Sequence, residues 1–303
     1  MSSVAAVFTQ NILPIFIVAG FGFALQRWVG LDKRTLSRAV FYCLSPCLVF
    51  SSLVNSQLPG DELLDLAGYT VATVAAMGAL SWGVARVLRL SRLETTAMLI
   101  MVMFVNAGNY GLTLNQLRYG EAGLARAIIY YTTSTVVLYT LGIFIASMGK
   151  FSWREALKRL WQMPPIYAAI AALVVYGLKL TVPAPLLRGI EVAGQGAIPV
   201  MLLVLGMQMA SMHGRFSWRL AIPTISLRLL IAPLVALFLT MTLGITGLGR
   251  STSIIESSMP PAVFTIILAT EFDLQPTAVT GIVVVSTLLS ALTLAATISI
   301  LGL

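Results

Sequence analysis

Two interrupted apolar stretches carry the residues of this sequence that are best suited to chemistry. The segment Asn106-Ala107-Gly108-Asn109-Tyr110-Gly111 interrupts the apolar run 98–119, and Met259-Pro260-Pro261 interrupts the run 251–271. Inside lipid, an unwound segment persists only where it lines a cavity enclosed by protein or filled with water. Paired breaks in the two halves of a chain are typical of the binding site of a secondary transporter.

The chemistry expected at such breaks is the binding of an anion. Half-helices that begin after Asn109 and after Pro261 would direct free N–H groups and positive dipole ends into one cavity. A carboxylate could be held there without a full buried counter-charge. The alternative is that Asn106 and Asn109 only cap the half-helices, and the residues alone leave this open. The substrate site predicted at the breaks comprises Asn106, Gly108, Asn109, Pro260 and Pro261.

Two ionisable residues lie inside apolar stretches. Arg228 is ten residues beyond Trp218, which places it about 15 Å into the membrane at the helical rise and requires it to face the protein interior. We assign it to the substrate site as a counter-charge for a carboxylate. The alternative is a structural partner of Glu256 or of helix C-terminal carbonyls, because a guanidinium suits both roles.

Glu256 precedes the second break by four residues. A carboxylate beside unwound carbonyls could take a proton or coordinate sodium, and hydroxyls of Thr132, Thr133, Ser134 and Thr135 could complete the shell. The alternative is that these hydroxyls bond back to their own helix, as they usually do in membrane helices. The predicted coupling site, for a proton or a sodium ion, comprises Glu256, Ser257, Met259 and Thr132. No other metal and no cofactor are predicted.

The composition defines the class of protein that must position these residues. Hydrophobic residues make up 58% of the 303 residues and charged residues only 10%, and the mean hydropathy is +0.93. The sequence therefore predicts a multi-pass membrane protein whose partner is the lipid bilayer. The net charge of +8 lies in short loops, so no nucleic-acid partner is implied. One loop histidine, His213, and an isolated cysteine pair, Cys43 and Cys47, argue against an enzyme.

Ten membrane-spanning helices account for the apolar runs. They are predicted at residues 5–28, 35–54, 63–87, 93–117, 122–148, 161–180, 186–212, 218–243, 251–271 and 277–301. Thirteen lysine and arginine residues lie in the loops after spans one, three, five and seven, and five lie on the opposite side. This bias places both termini outside the cytoplasm.

Five spans in each half require the second half to be inverted. Pro14 and Pro165 are 151 residues apart, Pro46 and Pro199 are 153 apart, and the two breaks are also 153 apart at Asn106 and Met259. These offsets favour a repeat of residues 1–150 in residues 151–303. Glycines on spans one and seven, namely Gly20, Gly22, Gly194 and Gly196, are predicted to allow close helix packing and a homodimer.

The break motifs resemble those of the auxin efflux carrier family. The residues that carry the resemblance are 106–114, followed by Tyr119-Gly120, and Met259-Pro260-Pro261-Ala262. The family includes plant PIN-formed carriers and bacterial organic-acid permeases, and the absence of a long central loop is similar to the bacterial type, which implies a bacterial inner membrane. The resemblance implies the fold of bile acid sodium symporters and sodium–proton antiporters. In that fold spans one, two, six and seven form a scaffold, and the other spans form a moving transport domain.

The resemblance also assigns residues. Asn106 matches the asparagine that contacts the substrate carboxylate in plant members, and Ser134 and Tyr139 match a polar residue and a tyrosine on their fifth span. A glutamate placed like Glu256 binds sodium in bile acid symporters. The implied function is alternating-access transport of a carboxylate such as malate, malonate or an auxin-like acid, by an elevator-type movement. A channel or a non-transporting membrane sensor built on the same fold is the alternative.

Overall fold

A computed structural model describes residues 4–55, 58–147, 164–210 and 218–303. Within these ranges the chain is helical, and it contains no β-strand beyond one isolated pair of bridged residues. The helices, numbered here in chain order, are α1 Val4–Val29, α2 Arg34–Val54, α3 Gly60–Val87, α4 Arg92–Met103, α5 Ala107–Ala146, α6 Pro164–Gly177, α7 Ala184–Ala210, α8 Trp218–Thr242, α9 Gly247–Ser257, α10 Phe264–Glu271 and α11 Pro276–Leu301.

Seven helices in the described ranges are long and apolar enough to cross a membrane, namely α1, α2, α3, α5, α7, α8 and α11. The prediction of an all-helical, multi-pass membrane protein is confirmed. Helices α4, α9 and α10 are shorter because each of them ends or begins at one of the two predicted breaks. The predicted span ends at Met148, Trp161 and Met212 lie outside the described residues, as does His213.

Local polar residues define several helix ends. The hydroxyl of Thr35 and the N–H of Arg34 donate to the carboxylate of Asp32. These hydrogen bonds hold the pKa of Asp32 below its usual range and cap the start of α2. Ser91 and Glu94 form a reciprocal capping box at the start of α4. Gly120 has a non-helical backbone with φ 63° and ψ −154° and kinks α5. This break between two helical segments of α5 lies within residues 118–121, where the sequence places the connection between spans four and five.

Close packing of α1 against α7 depends on glycine. A β-carbon at Gly22 would overlap the carbonyl oxygen of Leu203, and one at Gly206 would overlap that of Ala19. Of the four predicted packing glycines, Gly22 approaches α7, and Gly194 approaches α2, where a β-carbon at position 194 would lie 3.0 Å from the backbone of Leu48. Gly20 has open space around it. A β-carbon at Gly196 would meet only its own helix.

The helices pack in two groups. The first consists of α1, α2, α6 and α7, in which α1 packs along α7 and α2 packs against α6 and α7. In the second, α3 packs against α4, α5 and α8, and α9 packs against α5 and α8. Both broken stretches belong to the second group, whereas the first turns of α5 also contact α7.

Candidate functional site

The two broken stretches meet inside the protein. The N–H of Asn106 donates to the carbonyl oxygen of Pro260 at 2.9 Å, and the N–H of Ala262 donates to that of Phe104 at 2.9 Å. The two unwound segments thus pair in antiparallel fashion, and we call residues 104–106 and 260–262 the crossing. This pairing satisfies backbone groups that lipid could not satisfy.

Free backbone donors surround the crossing at the two helix starts. Among the described residues, the N–H groups of Gly108 and Asn109 on α5 have no hydrogen-bond acceptor, and neither do those of Val263 and Phe264 next to the start of α10. All four residues are only half-buried. The geometry therefore offers unpaired donors at two positive helix ends.

Asn106 is the residue directly before the start of α5. It is 5% exposed, its side chain makes no capping hydrogen bond, and its Nδ2 is buried without a partner in the described part of the chain. Capping therefore does not account for Asn106. Asn109 is half-buried, and its carbonyl oxygen accepts a hydrogen bond from Thr113 Oγ1 at 3.1 Å.

Arg228 lies in a π-helical turn of α8, Leu227–Ile231, and is 1% exposed. Its Nη1 donates to the carbonyl oxygen of Val102 at 2.6 Å, and its Nη2 donates to that of Ser257. These carbonyls belong to the last turns of α4 and α9. No ion pair joins Arg228 to Glu256 within the described ranges. The structure thus matches the alternative of a structural partner for helix carbonyls, since one guanidinium joins the negative ends of α4 and α9.

Glu256 lies fully buried in α9, facing α5. Its Oε1 accepts a hydrogen bond from Nδ2 of Asn115 at 2.9 Å, and the same nitrogen donates to the carbonyl oxygen of Gly111 at 3.0 Å. A β-carbon at position 111 would overlap the carboxyl group and lie 2.6 Å from Oε1, so a glycine is needed there. Glu256 Oε2 has no hydrogen-bond partner in the described part of the chain.

Three residues near this carboxyl group are absent from the sequence-based assignment. Asn115 contacts Glu256 directly, whereas the hydroxyls of Tyr69 and Tyr130 lie 2.8 and 3.4 Å from Ser257 Oγ. The amide of Asn115, inside an apolar run and four residues after Gly111, was a signal that could have identified it. The tyrosines carry no comparable signal, because tyrosine is common in apolar spans.

The predicted hydroxyl run bonds to its own helix. Thr132 donates to the carbonyl oxygen of Ile128 at 2.8 Å, and Ser134 and Thr135 donate to that of Tyr131 at 3.1 and 2.6 Å. These three side chains therefore follow the alternative in which each hydroxyl donates to its own helix. The hydrogen bond that Glu256 accepts comes from Asn115 instead.

The remaining predicted residues lie close to the crossing. The ring of Tyr139 is centred 4.9 Å from that of Phe264 at the start of α10. Met259 is buried and donates its N–H to the carbonyl oxygen of Glu256 at 3.2 Å. A β-carbon at Gly108 would lie 3.0 Å from the ring of Tyr131. The structure thus brings the two break motifs together with Tyr139, Arg228 and Glu256.

A cavity of about 720 Å³ lies between α2, α5 and α7. Its polar lining includes two carboxylates, Glu121 and Glu191, and the guanidinium of Arg126, which pairs with Glu62 at 2.6 Å. The side chains that line it otherwise are Leu48, Ser51, Ser52, Asn55, Leu58, Gln116, Ala122, Ala125, Gln195 and Ile198. No predicted site residue lines this cavity, and the crossing itself is buried.

Comparison with known proteins gives consistent matches. The chain matches the family described as "membrane transport protein" over residues 7–152 and 147–298. It is 28% identical to an uncharacterized transporter of Methanothermobacter thermautotrophicus over 292 residues, which cover 94% of this chain and 96% of that protein. It is 24% identical to an uncharacterized transporter of Methanocaldococcus jannaschii over 270 residues, which cover 86% and 87% of the two chains.

Proposed function

The chain belongs to the membrane transport protein family, to which the auxin efflux carriers also belong, and we propose that it is a secondary transporter of a small organic anion. Membership confirms the resemblance found in the break motifs and indicates transport rather than catalysis. The proposed substrate is a carboxylate of the size of malonate, malate or an auxin-like acid. It binds at the crossing and moves by alternating access.

The observation that carries this proposal is the set of unused donors at the crossing. The amide Nδ2 of Asn106 is buried without a partner, and the adjacent N–H groups of Gly108 and Asn109 are also free among the described residues. Unmade hydrogen bonds of buried donors cost free energy. A carboxylate is an acceptor for several donors at once and carries the charge that a helix N-terminus favours.

The position of Arg228 supports an anion over a cation. Four helix ends converge at the crossing, two of them positive and two negative. Arg228 donates to carbonyls at both negative ends, those of Val102 and Ser257. At the positive ends of α5 and α10, the N–H groups of Gly108, Asn109, Val263 and Phe264 have no acceptor among the described residues. A bound carboxylate would accept from these donors and supply negative charge to both helix ends.

The packing supports an elevator-type movement on a ten-span, five-plus-five inverted repeat. In this proposal α1, α2, α6 and α7 form the scaffold, which is also the surface for a homodimer, and the other helices form the transport domain that carries the crossing. The cavity between α2, α5 and α7 lies where these two groups meet. We assign it as the route toward the crossing, in a protein of the cell membrane with both termini outside.

Counterflow in reconstituted vesicles tests the proposal. Vesicles that contain the protein and unlabelled malonate or malate are expected to accumulate the radiolabelled acid saturably. Asn106→Ala should abolish this uptake, because it removes the unpaired amide, whereas Gln10→Ala, which removes an exposed amide on α1, should not. Flux without saturation would favour a channel. Absence of counterflow with any small mono- or dicarboxylate would reject the proposed substrate class.

A further inference from the structure

We propose that Glu256 and Asn115 form a carboxyl–amide pair that binds one proton, and that this proton, rather than sodium, is the coupling ion. The inference rests on the proposed function, because it names the ion that moves with the substrate. Asn115 is a positioning residue in this proposal, and Glu256 is the group that gains and loses the proton.

The hydrogen bonds of the pair leave two of its oxygens without a donor. Asn115 Nδ2 donates to Glu256 Oε1 and to the carbonyl oxygen of Gly111, so two acceptors fix the orientation of its amide. The two remaining oxygens, Asn115 Oδ1 and Glu256 Oε2, are both buried and have no donor in the described part of the chain. A proton on Oε2 turns that atom from an acceptor into a donor. A protonated Oε2 would supply the hydrogen that these two oxygens lack.

The packing around the carboxyl group disfavours a metal ion. The carboxyl group lies directly against the α-carbon of Gly111, where even a β-carbon would overlap it. A hard cation needs several oxygen ligands arranged around it. The hydroxyls of Thr132 and Thr135, which the sequence offers as ligands for such an ion, donate to carbonyls of their own helix. A proton needs no such space.

The groups that face Glu256 supply no charge to it. From α3 and α5, the hydroxyls of Tyr69 and Tyr130 approach Ser257 Oγ. From α8, Arg228 donates to backbone carbonyls instead. No cationic side chain pairs with Glu256 among the residues described. An ionised carboxylate that is fully buried with a single neutral donor is costly, so this conformation suits the protonated form.

The location of the pair connects the proton to the substrate. Gly111 donates its N–H to the carbonyl oxygen of Asn106 at 3.0 Å, so Glu256 lies about one helical turn from the proposed carboxylate site. Two anions at the start of the same half-helix would repel each other in a medium of low dielectric constant. Protonation of Glu256 removes that repulsion. The proton is taken from solvent on one side and released to solvent on the other, together with the anion.

Infrared difference spectroscopy of the reconstituted full chain tests the proton site without any substrate. A shift from alkaline to acidic buffer should produce the carbonyl band of a buried, protonated carboxyl group. The band should be lost in Glu256→Gln and retained in Glu271→Gln, a matched change at an exposed glutamate. Asn115→Leu should shift the pH midpoint of the band without removing it. Exchange of sodium chloride for choline chloride should change neither the band nor the thermal unfolding midpoint.

Two results would overturn the inference. One is a pH-dependent band that persists in Glu256→Gln. The other is sodium-specific stabilisation of the wild-type protein that disappears in Glu256→Gln or Asn115→Leu, since that would identify the pair as a sodium site.

A transport measurement separates this inference from the proposed function. Glu256→Gln should lose uptake of malonate driven by a pH gradient but retain malonate counterflow. Failure of the proposed function would appear as absent carboxylate counterflow in a wild-type protein that still shows the band. Failure of the proton site would appear as normal gradient-driven uptake by Glu256→Gln.

Discussion

At the scale of single residues, sequence reasoning located the buried charges but not their partners. The sequence predicts that Arg228 faces the interior and that Glu256 lies beside the second break, and the two residues are 1% and 0% exposed. Periodicity and depth fix which side of a helix is buried, but they do not say which distant residue lies opposite. Asn115 is 141 positions from Glu256, and only the packed fold brings the two together. The choice between the alternatives for Arg228 likewise required the positions of both carbonyls.

Replacement of Arg228 by lysine tests its assignment to the two helix ends. Arg228→Lys keeps the positive charge, but a single ammonium group cannot repeat the planar fork that reaches Val102 and Ser257 together. A buried carbonyl without a partner costs about 1–3 kcal/mol. We therefore expect a clear fall in the thermal unfolding midpoint in detergent.

Arg219→Lys provides the control for that variant. Arg219 also donates to backbone carbonyls, those of Leu88 and Arg89, but it is exposed, so its replacement should change the midpoint little. If Arg228→Lys unfolded at the wild-type temperature and instead lost affinity for a transported carboxylate, the counter-charge role would be the correct one.

At the scale of helices, the apolar runs and their interruptions were the most informative features. A run of apolar residues predicts a span, and a cluster of asparagine, glycine or proline inside it predicts a break, because both follow from backbone chemistry in lipid. The breaks lie where the sequence placed them, between α4 and α5 and between α9 and α10. Contacts between helices were harder to predict. Gly206, where a β-carbon would overlap the backbone of Ala19 on α1, was not identified, since sequence alone does not give the rotation of a helix about its axis.

A pair of glycine variants tests the contact between α1 and α7. Gly206→Ala should destabilise the protein by about 1–3 kcal/mol, because its methyl group would overlap the backbone of Ala19 in a closely packed interface. Gly20→Ala has open space and should be neutral or stabilising by up to about 1 kcal/mol, since alanine favours a helix. Thermal unfolding of both variants in the same detergent provides the comparison. Equal midpoints would show that α1 and α7 do not pack in this way.

For the molecule as a whole, the packing of the crossing between the two groups of helices determines how a buried site could reach solvent. In this conformation Asn106 and Glu256 are shielded. Arg118 on α5 donates to Asn11 Oδ1 on α1 at 3.0 Å and to the carbonyl oxygen of Leu303. This contact joins the proposed transport domain to the scaffold. This contact must break if α5 moves along α1. The conformation described here is therefore one stage of the proposed movement.

Cysteine labelling tests that movement directly. In a background in which Cys43 and Cys47 are replaced, Asn106→Cys should react with an impermeant thiol reagent from only one side of the membrane in a given state, because alternating access exposes a site to one side at a time. Arg118→Gln should alter that reactivity, since it removes the contact with Asn11.

Gln10→Cys, at an exposed position of the proposed scaffold, provides the control, whose labelled side should be the same with and without Arg118→Gln. Equal labelling of Asn106→Cys from both faces, with and without Arg118→Gln, would reject a carrier and favour an open pore.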